Sequence, residues 1–163
     1  MAEIIDKIDL KILRILQSDS SRSLESISNE VGVSLNTCWR RISRLEKDSI
    51  IEGRVALIDN EKVGLPLTVF VSISTDDHSQ EWTKKLNNAV ISIKEIVEFY
   101  RLAGETDYIL KMMVKNVDHY DRVYKQLIKH VKISDVSASF AMEKIKFTTN
   151  LPIWYMNNIY NFS

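Results

Sequence analysis

The sequence predicts an α+β protein in two parts, an N-terminal winged helix-turn-helix and a C-terminal ferredoxin-like β-α-β-β-α-β domain. Three observations carry this expectation. Up to about residue 50 the apolar residues recur only at steps of three and four, the period of helices packed on one face. Within that stretch a Gly-centred turn separates two segments that each follow a serine. From residue 67 onward, β-branched and aromatic runs alternate with helical stripes.

Ile5, Ile8, Ile12, Leu13, Ile15 and Leu16 form the stripe of the first helix, which ends near Ser18-Asp19-Ser20-Ser21. A second helix begins at Ser23 or Leu24, with Ser23 as its N-cap, and uses Leu24, Ile27 and Val31. Gly32, the residue type best able to adopt positive φ, ends it. Ser34 caps a third helix from Leu35 to about Asp48. Ile50 to Ile58 reads as a short strand pair, or wing, bending at Gly53. The polar stretch Asp59 to Pro66 is the expected linker. Beyond it, Leu67–Ser74 is a strand and Gln80 to about Ile91 a helix through Trp82, Leu86, Ala89 and Val90. Ile96–Ala103 and Tyr108–Val114 are strands around the turn Gly104-Glu105-Thr106-Asp107. Asp118–Val131 is a helix, and Val136–Ile145 closes as a strand. The expected domains are therefore 1–58 for DNA, 59–66 as linker, and 67–163 for sensing and assembly, with a C-terminal tail.

Lysine plus arginine equals aspartate plus glutamate, 22 of each, so the chain as a whole has no attraction to nucleic acid or to an anionic membrane. Any such role must come from local clustering. The stretch GVSLNTCWRRISRLEKD, residues 32–48, supplies it with Arg40, Arg41, Arg44 and Lys47. Cys38 is the single cysteine, which excludes an internal disulfide and fits a reducing, cytoplasmic setting. No apolar run approaches the ~18 residues that span a bilayer, and the start, MAEIIDKIDLKIL, lacks the apolar stretch of a signal peptide. The expectation is a cytoplasmic protein with no membrane partner.

On a helical wheel Cys38, Ile42 and Leu45 fall within about 60° of one another, with Leu35 beside them. Asn36, Arg40, Ser43, Arg44 and Lys47 take the opposite arc, and Trp39 and Arg41 flank the stripe. An apolar back with an Asn/Thr/Arg front suits the major groove, where Arg reads guanine and Asn reads adenine. The N-terminal part of such a helix meets base edges, here Leu35, Asn36, Thr37 and Arg40. Ser34, at the helix start, is placed for a phosphate. Arg41, Arg44, Lys47 and Arg54 of the wing are the expected backbone contacts. A basic helix face is often merely solvated; the preceding capped helix, the Gly turn and the following wing favour double-stranded DNA.

These pieces resemble the Lrp/AsnC family of bacterial and archaeal transcription factors. The resemblance rests on IDKIDLKILRILQSD, SLNTCWRRISRLEKDSIIEGRVALID, VEFYRLAGETDYILKMMV and SFAMEKIKFTTNLPI, in order over residues 3–153. It implies a winged helix-turn-helix joined to a ligand-sensing domain of ferredoxin-like fold, the RAM domain. It further implies homodimers formed through that domain, commonly assembled into octamers. A small effector, usually an amino acid, binds between sensing domains and alters DNA affinity or assembly. The C-W-R-R-I recognition helix with F-A-M-E-x-I-K is similar to a cysteine-responsive branch, which makes cysteine the leading effector.

The resemblance places the effector loop at Ala103, Gly104, Glu105, Thr106, Asp107 and Tyr108, with Ser137 and Ser139 as second-subunit contacts. The residues themselves allow it: Gly104 lets backbone N–H groups approach a carboxylate, and Asp107 can bind an ammonium. Spacing alone favours a tight turn whose Asp bonds its own backbone, and the resemblance is what favours the effector loop. Cys38 reads as core, and His78, His119 and His130 have no metal-ligand spacing. Phosphate-cradling and nucleophile-elbow motifs are absent, so no enzyme, metal or cofactor is expected. Two alternatives stay open: an interaction or ligand-binding module that has lost DNA, and a small-molecule enzyme on the ferredoxin-like half.

Overall fold

The structure is a computed structural model and describes residues 5–153. The aromatic tail 154–163, expected from sequence either to pack on a neighbouring subunit or to fray, lies outside the described residues. The chain divides into two compact units. One holds the described residues up to Ala56 together with those from Lys146 onward, and the other runs from Leu57 to Ile145.

The first unit contains α1 (Lys7–Ser18), α2 (Leu24–Val31) and α3 (Leu35–Lys47). Asp6 caps α1, accepting from the N–H groups of Ile8 and Asp9, while the Asp9 carboxylate accepts from the Asp6 N–H. This reciprocal box satisfies three N–H groups at the helix start. Ser23 and Ser34 cap α2 and α3, and Gly32 ends α2 at φ 76°. The helices bury Ile12, Leu16, Ile27, Val31, Cys38, Ile42 and Leu45 against one another.

The expected wing is not a strand pair. Residues 52–58 form no ladder, and Val55, Leu57 and Ile58 are exposed. A hairpin bending at Gly53 would have short arms, 50–52 and 54–58, and two-stranded ribbons of that size are marginal in water. Linker residues 60–64 fold into turns, closed by Leu65 N–H donating to Asn60 O at 2.8 Å and Asn60 Nδ2 donating to Leu65 O at 2.9 Å.

The second unit contains β1 (Leu67–Ser74), α4 (Gln80–Ser92), β2 (Ile96–Arg101), β3 (Tyr108–Val114), α5 (Val117–His130) and β4 (Asp135–Phe140). The four strands form one antiparallel sheet in the order β2-β3-β1-β4, the ferredoxin-like arrangement. Val69, Val71, Ile73, Leu110, Met112 and Val114 point to the helices and pack with Trp82, Leu86, Val123 and Leu127. Alternate residues Phe70, Tyr100, Ser137 and Ser139 are exposed on the other face, as an antiparallel sheet with helices on one side requires.

Two strands stop earlier than expected, β2 at Arg101 and β4 at Phe140. β4 has a single neighbour, β1, and the last ladder bond, Ala141 N–H to Thr68 O, comes where β1 begins. Beyond it the segment loses its partner. The sequence counts residues 146–153 with the sensing domain, whereas their contacts lie in the helical unit. Gln17 Nε2 donates to Leu151 O at 3.1 Å, and Leu151 N–H donates to Gln17 Oε1 at 3.0 Å.

Candidate DNA-binding surface and effector site

The outward arc of α3 carries Asn36, Arg40 and Lys47, all exposed, on a helix held from behind by Cys38, Ile42 and Leu45. Ser34 Oγ accepts from Thr37 N–H at 3.2 Å and shares a 2.8 Å hydrogen bond with Thr37 Oγ1. Both side chains of the helix start are thus engaged with each other, Ser34 as cap. Leu35 stands 51% exposed at the first helical position.

Arg44, which the wheel sets on that arc, and Arg41, which it sets beside the buried stripe, both turn toward α1. Arg41 Nη1 lies 2.6 Å from Asp6 Oδ2 and 2.9 Å from Asp9 Oδ1, and Arg44 Nη2 lies 2.5 Å from Asp9 Oδ2. Asp9 is fully buried. A carboxylate removed from water must be paired and hydrogen-bonded, and two guanidinium groups with the Asp6 N–H do this. Partial burial pushes the Asp6 carboxyl up, but the Asp9 N–H and the Arg41 guanidinium outweigh it and hold it below the ordinary carboxylate value. Burial likewise pulls Arg41 down, and its bonds to Asp6 and Asp9 more than restore the charged form. These two arginines tie α3 to the start of α1. Arg54, expected at the DNA backbone, pairs with Glu46 at 2.8 Å in the chain by itself.

The sequence reading missed Asp9. Its signal was present: an Asp three residues after another Asp, at the head of an apolar helix, is the pattern of a capping box. Its second role, as the anchor for two arginines more than 30 residues away, had no local signal.

The loop 103–108 leaves β2 and enters β3. Ala103, Gly104 and Glu105 are exposed, Gly104 at φ 149°, where a side chain is disfavoured, with nothing within 4 Å of the place a Cβ would take. Asp107 is half-buried and already has a partner: its Oδ2 accepts from the Thr75 N–H at 2.9 Å, and His78 Nδ1 stands 3.9 Å from Oδ1. Its backbone bonds Leu102 N–H and Ile73 O, closing the loop against the end of β1. Tyr108 faces the core, 3% exposed, with its ring stacked on Phe99 at 5.4 Å. It supports the loop from beneath rather than lining an open site. Ser137 and Ser139 are exposed on β4, separated from β3 by β1, so within one chain they are not joined to the loop.

Burial pushes the Cys38 thiol up, which makes it a poor nucleophile. Among the described residues no group of His, Cys, Asp and Glu is arranged to hold a metal ion, and no helix is long and apolar enough to cross a membrane.

A capped helix pair with an exposed basic front, followed by a ferredoxin-like sheet, is the arrangement that comparison with known proteins recognises in both halves. Residues 5–46 match the AsnC-type helix-turn-helix domain, and residues 68–151 match the Lrp/AsnC ligand binding domain. The chain belongs to the Lrp/AsnC family. Like its Lrp/AsnC relatives, it is a DNA-binding transcriptional regulator. It is 47% identical over 149 residues to the glutamate uptake regulatory protein of Zymomonas mobilis, covering 91% of each chain. The DNA-binding transcriptional activator DecR of Escherichia coli is 47% identical over 150 residues, covering 91% of this chain and 99% of that protein. A transcriptional regulator from Neisseria meningitidis, solved as a complex with L-Met, superposes with a TM-score of 0.89 at 30% identity, covering 94% of this chain and 99% of that one.

Proposed function

We propose that this Lrp/AsnC regulator binds its operator through Asn36 and Arg40, with Lys47 on the phosphate backbone, and that an amino acid bound at the loop 103–108 modulates that binding. The observation that carries the DNA half is the division of labour on α3. Arg41 and Arg44 are committed to Asp9, which leaves Arg40 and Lys47 as the exposed cations of the helix. Residues up to 58 act on DNA, 59–66 join, and the sheet from residue 67 senses and assembles. The protein works in the cytoplasm as a homodimer that builds larger assemblies up to an octamer, its bare sheet face supplying an interface. Two recognition helices of a dimer then reach half-sites about one helical turn apart, or multiples of it.

Gly104 and the exposed backbone around it suit an amino-acid carboxylate, while Asp107 keeps one oxygen for an ammonium beyond its bond to Thr75. Cysteine heads the effector panel on the resemblance of the recognition helix. Methionine joins it because the Neisseria meningitidis relative was solved with L-Met, and glutamate because of the Zymomonas mobilis regulator's name.

Fluorescence anisotropy on the DNA upstream of the gene, with and without millimolar single amino acids, tests both halves. The expected result is tight, salt-sensitive binding changed 5- to 150-fold by one amino acid, the span of an ordinary coupling energy. Asp107→Asn keeps an oxygen for the Thr75 N–H but removes the charge, and it should abolish the response while leaving basal DNA binding intact. Affinity no better than for random DNA would overturn the DNA half. A normal response in Asp107→Asn would overturn the assignment of the ammonium site.

A further inference from the structure

Trp39 is the anomaly of the helical unit. It lies on α3 one residue after the buried Cys38, yet 59% of it is exposed, and Leu35, one turn earlier on the same edge, is 51% exposed. The core beneath is complete without them: Cys38, Ile42 and Leu45 are each at most 6% exposed. Residues four apart on a helix are neighbours, so the two side chains form one continuous apolar edge. This edge lies on the flank of α3 away from Arg41 and Arg44, and it borders Asn36 and Arg40.

We propose that Leu35 and Trp39 pack on thymine C5-methyl groups in the major groove, making Trp39 a specificity-determining residue beside Arg40 and Asn36. The inference rests on the DNA-binding reading above and names the base it adds. A thymine methyl is the apolar group that the floor of the major groove presents, and apolar side chains read it by contact. Charge identifies the partner. The arc adjoining the edge holds Asn36, Arg40, Ser43 and Lys47 without an acid, and the nearest acid, Glu46, is paired with Arg54. A polyanion that carries apolar spots fits this surface better than an apolar protein groove does, because a groove would leave Arg40 and Lys47 uncompensated.

The test replaces each thymine of a half-site with uracil, which removes only the methyl group, and measures anisotropy with the wild type and with Trp39→Ala. Trp39 is exposed, so the substitution leaves the core intact, and circular dichroism checks that. At one or two positions the wild type should lose about fourfold in affinity, the factor for one buried methyl-sized group, ~0.8 kcal/mol. Trp39→Ala should bind thymine DNA less tightly and show no further loss with uracil at those positions, and Leu35→Ala should behave likewise at the same or the adjacent position. Equal uracil penalties in wild type and variant would overturn the proposal. So would a Trp39→Ala loss that is uniform on specific and random DNA, which would make the indole a backbone contact. Protein–protein association abolished by Trp39→Ala with DNA binding unchanged would assign the edge to a second copy. A wild type that does not distinguish its own site from random DNA would remove the DNA-binding reading itself, and this proposal with it.

Discussion

The two basic edges of α3 use the same residue types for opposite ends. On one edge Arg41 and Arg44 turn inward to the buried Asp9 and the capping Asp6. On the other, Arg40 and Lys47 stand in solvent beside Asn36. A count of positive residues on the helix treats the four alike. What separates them is a carboxylate on another helix, which converts two into struts and leaves the others available to a ligand. Charge on a recognition helix therefore has to be sorted by partner before it is read as affinity.

The strongest way to break this contrast is Asp9→Ala. It leaves two guanidinium groups half-buried without their shared anion, and removing one side of such a pair costs about 3–5 kcal/mol. Urea unfolding at fixed protein concentration should show the loss, and unchanged stability would mean that the arginines re-solvate freely. Arg40→Ala comes next, with an expected loss of about 1–3 kcal/mol in operator affinity and relaxed preference at one base pair, read by competition with single-site variants. Lys47→Ala sharpens the comparison: the slope of log affinity against log salt should fall by about 0.9, the share of one phosphate contact, for all sequences alike. Arg41→Ala should leave that slope where it was, and a matching drop would put Arg41 back among the phosphate contacts.

The smallest effect concerns acid. The Asp6 carboxyl sits below its ordinary value of 3.8 in the folded chain. Its contribution is therefore complete above about that pH and is lost as the pH falls through the lower folded value. Asp6→Asn keeps an oxygen for the cap. It should lower stability at neutral pH by that contribution and flatten this part of the acid limb of a stability–pH curve, so that variant and wild type converge at low pH.

Local chemistry made most of the fold legible. The serine caps Ser23 and Ser34 and the positive φ of Gly32 are decided within four residues, and the alternation in β1 and β3 is decided by period alone. What was not legible depended on partners distant in sequence. Ile50–Ile58 has strand-forming residues but joins no ladder among the described residues, and β4 ends where β1 begins rather than where its own sequence pattern does. The recognition helix was placed with its start at Leu35 and its end within a residue, whereas the ion pairs of Arg44 and Arg54 were not foreseen. A wheel sees one helix, and Asp9 and Glu46 are set against them by the tertiary fold and the following turn. Tyr108 entered the effector loop through the family resemblance, and in the structure its ring fills the space beside Phe99 and Trp82.

The single thiol on the buried face of α3 gives the molecule a built-in clock. Cys38 is the one cysteine of the chain and is shut off from solvent by the packing that holds the recognition helix. A small electrophile can reach it only when that helix lifts, so the labelling rate reports the frequency of opening. Operator DNA that clamps α3 in place should slow the reaction in proportion to its occupancy, and an effector that releases DNA should restore the rate. The same chain thus carries both the recognition helix and the means of timing its motion, with no added probe.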